Sequence, residues 1–314
     1  MESTGSSSQT NATYEEPFIV EPTSPHTHSM ILLHGFGFSG QSFGEELTRT
    51  AVTSDGKTLP ELFPSTRFIF PTAKRRESTM MKHAKLTQWF DVTSVNDCFL
   101  DMEAQIKGFV ESRDEIFQLI HNESQRTPCE NIILGGHSHG SAVALFCLLT
   151  SRFPLKAFVG LGGWVPFQPG VDRLLRPEMY TEDDSEGRFR VKNRRPLPKQ
   201  APKQPEINPF APTGEFVLAG NTLIDRVVEN FDARLGPAGL CGIAEGNAVV
   251  PPPVFLGHGA VDNARLDHGR AARKTLMLMG FNVTWGVYEG QNDWPVHPRE
   301  MDDMVGFLRT KCFL

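Results

Sequence analysis

Residues 131–145 read Asn131-Ile-Ile-Leu-Gly-Gly136-His137-Ser138-His139-Gly140-Ser141-Ala-Val-Ala-Leu145. An apolar, strand-like run enters a Gly-x-Ser-x-Gly turn and leaves as an apolar, helix-like run. A strand that turns sharply into a helix strains the backbone at its apex, and the flanking residues need minimal side chains for the turn to pack. Ser138 is therefore expected to project at the positive end of the following helix, where a developing oxyanion is favoured. It is the candidate nucleophile.

Working outward, short apolar runs alternate with helical patterns, which argues for βαβ units and a mainly parallel sheet. Strands are expected at Phe18–Val20, Met30–Leu33, Arg67–Phe70, Asn131–Leu134, Ala157–Leu161, Val254–Leu256 and Phe281–Tyr288. Helices are expected at Asp101–Ser124, Ser141–Ser151, Gly269–Met279 and Arg299–Arg309. In the first of these helices Ile106, Phe109, Val110, Ile116, Phe117 and Ile120 recur at three- and four-residue steps, as a one-sided apolar stripe requires. Residues 1–15 read as a disordered arm and 16–314 as a single α/β domain. A low-complexity insertion at about 168–215 runs from an acidic cluster through a basic stretch into a Pro-rich one, and reads as disordered.

Composition narrows the function. Hydrophobic residues make up 39% of the 314, enough for a sizeable core. Lys and Arg total 31 against 37 Asp and Glu, a net charge of −6, so no nucleic-acid partner is expected. No apolar run approaches the ~18 residues of a membrane span, so no transmembrane segment is expected. The first thirty residues hold no apolar core of a signal peptide. The five Cys form no CxxC pair, which suggests reduced thiols and a cytoplasmic setting. Surface residues carry no readable signature of oligomeric state.

Two more segments bear chemistry. Met30-Ile-Leu-Leu-His34-Gly35-Phe36-Gly37-Phe38 is a strand running into a His-Gly loop, and Gly257-His258-Gly259-Ala260-Val261-Asp262 follows a late strand. His137 and His139, with His34 and His258, superficially suggest a metal cluster, but carboxylates at ligand spacing are absent and no metal or cofactor is expected. The last loop reads Tyr288-Glu289-Gly290-Gln291-Asn292-Asp293-Trp294-Pro295-Val296-His297-Pro298.

Together with Gln88-Trp89-Phe90-Asp91 and Gly162-Gly163-Trp164-Val165-Pro166-Phe167, these segments resemble the acyl-protein thioesterase branch of the phospholipase/carboxylesterase family of α/β hydrolases, particularly its fungal-type members. The resemblance spans about 28–168 and 215–310. It implies an α/β-hydrolase fold with a mainly parallel central sheet and flanking helices. It also implies a serine esterase or thioesterase acting on a small-molecule or acylated substrate. In this architecture the partners follow in chain order Ser, Asp, His. Ser138 is then the nucleophile, Asp262 the orienting acid and His297 the base, with an oxyanion hole from the amides of Phe36 and His139. His268 follows Asp262 too soon to serve. The departure is in the last loop. Members of the family usually carry their His three residues after the Gly, and Asp293 stands there. A displaced base at His297, and a catalytically impaired or non-hydrolytic ligand binder, are the two outcomes this leaves open. His139, where the family commonly has Gln, is a third and unorthodox candidate base.

Overall fold

The computed structural model describes residues 15–94, 97–151, 153–176, 180–181, 190–191, 250–261, 263–289 and 298–314. The arm before residue 15, most of the insertion, and Asp262, Asp293 and His297 lie outside them.

The fold follows from strands that are apolar on both faces. In β2 (His28–Leu33) every residue from Ser29 onward is buried, as are all residues of β3 (Thr66–Phe70), β6 (Ile132–His137), β7 (Ala157–Leu161) and β10 (Val254–Gly259). Near-continuous burial is the mark of a parallel sheet covered on both sides. Here the order is β1-β3-β2-β6-β7-β10-β11, with β1 at Phe18–Val20 and β11 at Val283–Tyr288. Only β1 runs antiparallel, pairing Phe18 with Phe70, while the other neighbours pair in parallel. The hairpin β4 (Arg75–Ser78) and β5 (Ala84–Thr87) stands apart from this sheet. So does the pair β8 (Tyr180–Thr181) and β9 (Arg190–Val191).

Alternate residues feed two cores. Ile31 and Leu33 join the side covered by α3 (Met102–Ser124), α4 (His139–Thr150), α5 (Gln168–Leu175) and α6 (Asn263–Leu278). Met30 and Leu32 join the side covered by α1 (Gly40–Glu45), α2 (Leu59–Leu62) and α7 (Pro298–Phe307). Every residue of α4 is buried, so this helix is apolar all round rather than amphipathic.

Three differences from the sequence reading have physical causes. Residues 168–175, expected to open the insertion, are helical because they have partners: Gln168 Nε2 donates to Thr275 Oγ1 at 3.1 Å, and Thr275 Oγ1 donates to Asp172 at 2.7 Å. The buried face of α3 is partly polar, with Gln105, Ser112 and Arg113 inside while Ile106 and Val110 are half-buried. Gly108 lets α3 approach Phe90 so closely that a Cβ would lie 2.5 Å from its Cα, and Ser112 donates to the Trp89 carbonyl at 2.7 Å. Finally, α6 begins at Asn263 rather than Gly269, which brings two polar side chains into the site described next.

The sheet's chain order reverses direction between β2 and β6. Ligands in open α/β sheets bind outside the carboxyl ends of the strands at such a point.

Candidate active site

Ser138 sits at that point, between β6 and α4, with φ 52° and ψ −116°. A non-glycine residue with positive φ stores on the order of 1–3 kcal/mol of strain. The surroundings enforce it. The Ser138 N–H donates to the Leu161 carbonyl at 2.7 Å, and the Ser138 carbonyl accepts from the Ala142 N–H at 3.0 Å. A Cβ on Gly136 would lie 2.7 Å from the Leu33 carbonyl oxygen, and one on Gly140 only 2.2 Å from the same atom. The turn is tight because the backbone of β2 leaves no room for side chains on either side of it. From Ile132 to Thr150 every residue is buried except Ser138.

The His34–Phe38 loop is held from several directions. His34 is fully buried, and its ring Nδ1 lies 2.7 Å from the Gly35 carbonyl. The Ala73 N–H donates to His34 Nε2 at 3.0 Å. One ring nitrogen therefore donates and the other accepts, which assigns the neutral Nδ1–H tautomer. Burial accordingly lowers the His34 pKa to about 4. Trp89 Nε1 donates to the His34 carbonyl at 2.8 Å, and the Gly37 N–H donates to the Thr87 carbonyl at 3.0 Å. These bonds explain why the His-Gly and Gln-Trp-Phe-Asp segments occur together: the second fixes the first. They also leave His34 without a ring nitrogen for a metal.

His139 begins α4, where the first N–H groups of a helix have no intrahelical acceptor. Its ring stacks on Phe90 with centroids 4.4 Å apart, and meets Phe36 at 5.3 Å and Trp164 at 5.7 Å edge-on. Burial above all, then the neighbouring His34 and the Arg265 charge, lowers its pKa to about 3. An imidazole that weakly basic is poorly matched to taking a serine proton near neutral pH.

A cleft of about 240 Å³ opens over Ser138, between the Gly35–Phe38 loop, Gly162–Trp164 and α6. Among the described residues, sequence reading missed Val92, Ser94, Cys98, Arg265 and His268 as lining groups. Arg265 and His268 are three residues apart on one helical face, a signal that the expected helix start at Gly269 hides because the helix begins at Asn263. His268, which follows Asp262 too soon to serve as the base, does reach the cleft, where its Nδ1 lies 3.5 Å from Cys98 Sγ. Burial pushes the Cys98 thiol up to about 12, so it stays neutral. Among the described residues no three metal-ligating side chains gather, and no helix is long and apolar enough to cross a membrane.

A mainly parallel sheet carrying a strained serine between a central strand and a buried helix is the α/β-hydrolase fold. The chain belongs to the phospholipase/carboxylesterase family, whose family model matches residues 14–174. Acyl-protein thioesterase 1 of Emericella nidulans is 31% identical over 170 residues, covering 52% of this chain and 67% of that protein. Acyl-protein thioesterase 1 of Cryptococcus neoformans is 27% identical over 157 residues, covering 50% of this chain and 62% of that protein. The chain thus spans less than two thirds of the latter's length. The crystal structure of Zea mays acyl-protein thioesterase 2 superposes with a TM-score of 0.58 at 21% identity, covering 95% of this chain and 100% of that one.

Proposed function

We propose that the protein is a serine hydrolase that cleaves an ester or thioester through an acyl-enzyme on Ser138. The observation that carries this reading is the strained, half-buried Ser138, held by its neighbours in a run of otherwise buried residues and facing the cleft. Backbone strain of this kind persists only where the surroundings over-determine it, and it clusters at reactive positions.

In the proposed reaction Ser138 Oγ attacks the carbonyl carbon while the base takes its proton. The N–H groups of Phe36 and His139 bind the carbonyl oxygen as it becomes an oxyanion. The C–O or C–S bond then breaks, the base returns its proton to the leaving alcohol or thiol, and water hydrolyses the acyl-enzyme by the same steps. The base is assigned to His297, with Asp262 orienting its ring and stabilising the imidazolium. Asp293 is a poor substitute, because an ordinary aspartate pKa near 3.9 matches serine activation badly. The names of the relatives extend the proposal to acylated protein substrates, and the scattered cysteines to a cytoplasmic setting.

The test is hydrolysis of p-nitrophenyl esters by wild type, Ser138→Ala, His297→Ala and Asp293→Asn. Activity lost in the first two variants and kept in the third supports Ser138 and His297. No turnover by wild type favours instead a ligand binder on the same fold, a reading for which Asp293 in the place of the usual His is the specific observation.

A further inference from the structure

We propose that the His139 ring donates a hydrogen bond to the substrate, so that the acyl group cleaved at Ser138 carries an acceptor oxygen a few bonds from its scissile carbonyl. This inference deepens the hydrolase reading and rests on it.

His139 is 5% exposed and lines the cleft over Ser138. Phe90 lies parallel to its ring, while Phe36 and Trp164 meet the ring edge-on. A box of aromatic side chains suits a phenyl group well. A nitrogen buried there without a partner costs free energy instead. His139 bears that cost, because its Nδ1 is buried and has no hydrogen-bond partner. Nε2 is then the one polar atom of the ring that can meet a ligand in the cleft.

The tautomer settles which kind of ligand atom fits. Burial above all keeps the ring neutral near neutral pH, so one nitrogen carries a proton and the other a lone pair. Buried N–H groups without acceptors are rarer than buried acceptors left short of a donor. The lone pair is therefore assigned to Nδ1 and the proton to Nε2. This is the reverse of His34, whose Nδ1 donates to the Gly35 carbonyl. The cleft thus receives an uncharged N–H donor, which calls for a ketone, ether or hydroxyl oxygen.

The place of that oxygen follows from the backbone. The N–H of His139 starts α4 and binds the carbonyl oxygen in the proposed reaction. A donor on the side chain of the same residue reaches atoms a few bonds from the carbonyl carbon. A saturated acyl chain laid against the ring would cover the Nε2 proton as well and leave both nitrogens without partners. Sites built to hydrogen-bond a substrate group discriminate strongly against analogues that lack it, for this reason.

Two esters that differ by one ketone test the assignment: p-nitrophenyl pentanoate and p-nitrophenyl 4-oxopentanoate, each rate divided by that ester's own hydroxide-catalysed rate. With wild type, kcat/KM should be at least about tenfold higher for the keto ester. His139→Phe keeps the backbone amide and a ring in the box but has no donor, so the preference should fall to about one. His139→Gln restores a donor and should recover part of it. The ratio is the readout, so a general loss of activity from a disturbed amide does not imitate the effect. Equal rates with wild type, or a preference that His139→Phe keeps, overturns the proposal. If wild type cleaves neither ester, the hydrolase reading fails and the donor is judged by binding alone. Ser138→Ala protein labelled with ¹⁵N at its histidines is then titrated with methyl 4-oxopentanoate and with methyl pentanoate. A shift of the His139 ring resonances with the keto ester alone sustains the proposal, and no shift, or the same shift with both, sinks it.

Discussion

Gly140 packs directly on the backbone of Leu33: a Cβ at Gly140 would lie 2.2 Å from the Leu33 carbonyl oxygen and 2.4 Å from its carbonyl carbon. The atoms in the way belong to a strand in the middle of the sheet, and so cannot swing aside as a flexible side chain can. Gly140→Ala is expected to cost about 2–3 kcal/mol by overpacking and to reduce ester hydrolysis at least a hundredfold by displacing Ser138. Gly170→Ala is the contrast. It lies in α5 with nothing within 4 Å of its would-be Cβ, and should stabilise by roughly 0.5–1 kcal/mol through helix propensity. Urea titrations of the two variants with matched ester assays check both signs.

The His34–Ala73 bond leads to a pH dependence. Burial first, and the neighbouring His137 next among the lowering causes, hold the His34 pKa at about 4 against an unfolded value of 6.5. The unfolded chain therefore binds more protons between those values. Stability from this group is complete above pH 6.5 and is lost as pH falls toward 4. The span corresponds to about 3 kcal/mol at most. His139 is lowered further, to about 3, and pulls in the same direction. The free energy of unfolding should thus drop on going from pH 7 to pH 4.5, with a smaller drop in His34→Gln. An unchanged slope in that variant would show that other groups set the acid limit.

His139 also separates a backbone role from a side-chain role. Its ring is neutral and enclosed by Phe36, Phe90 and Trp164, while its amide starts α4. His139→Gln keeps the amide, and kcat/KM should fall less than about tenfold. A loss as large as general-base catalysis, about 10²–10⁴-fold, would instead make the His139 imidazole the base in place of His297.

Much of this was legible in the sequence because it rests on local rules. The Gly-x-Ser-x-Gly spacing is a steric demand that residues 136–140 meet on their own, and the parallel strands announce themselves as unbroken apolar runs. What stayed hidden depended on tertiary partners. Arg265 and His268 lie on a helix turn whose exposed or polar residues, Asp267 and Arg270 among them, give no apolar rhythm until the cleft supplies the other side. Residues 168–175 look like the start of a low-complexity segment until Thr275 of α6 provides hydrogen bonds for Gln168 and Asp172. The role of His34 was equally invisible, since Ala73 comes 39 positions later. Asp262 and His297 are read from chain order, and Asp293 from the place the family resemblance gives it.

At the opposite end of the strands from the cleft, Glu123 is 3% exposed and accepts from Ser29 Oγ at 2.7 Å and from Arg67 Nη1 at 2.6 Å. It ties the end of α3 to the second residues of β2 and β3. Arg67 has a second carboxylate, Glu21, but that one is largely exposed. Glu123→Ala leaves a buried guanidinium short of its main partner, and such truncations cost about 3–5 kcal/mol. The specific activity of the molecules that remain folded should be unchanged. The double variant Glu123→Ala/Arg67→Met is expected to recover part of the loss, as a coupled pair requires.

Ser138 itself brings stability and activity into opposition. At φ 52° and ψ −116° it occupies a region that glycine enters freely and other residues enter under strain. Ser138→Gly removes the nucleophile and the strain together, so hydrolysis should vanish while the folded state gains about 1 kcal/mol. Ser138→Ala keeps a Cβ at the same dihedrals and should abolish hydrolysis without that gain. The greater backbone freedom of glycine in the unfolded chain acts against the increase, so a higher Tm for Ser138→Gly than for Ser138→Ala is evidence that the relief of strain is the larger effect. If instead Ser138→Gly melts below Ser138→Ala, the elbow holds its serine without appreciable strain, and the argument from backbone geometry to reactivity loses its footing.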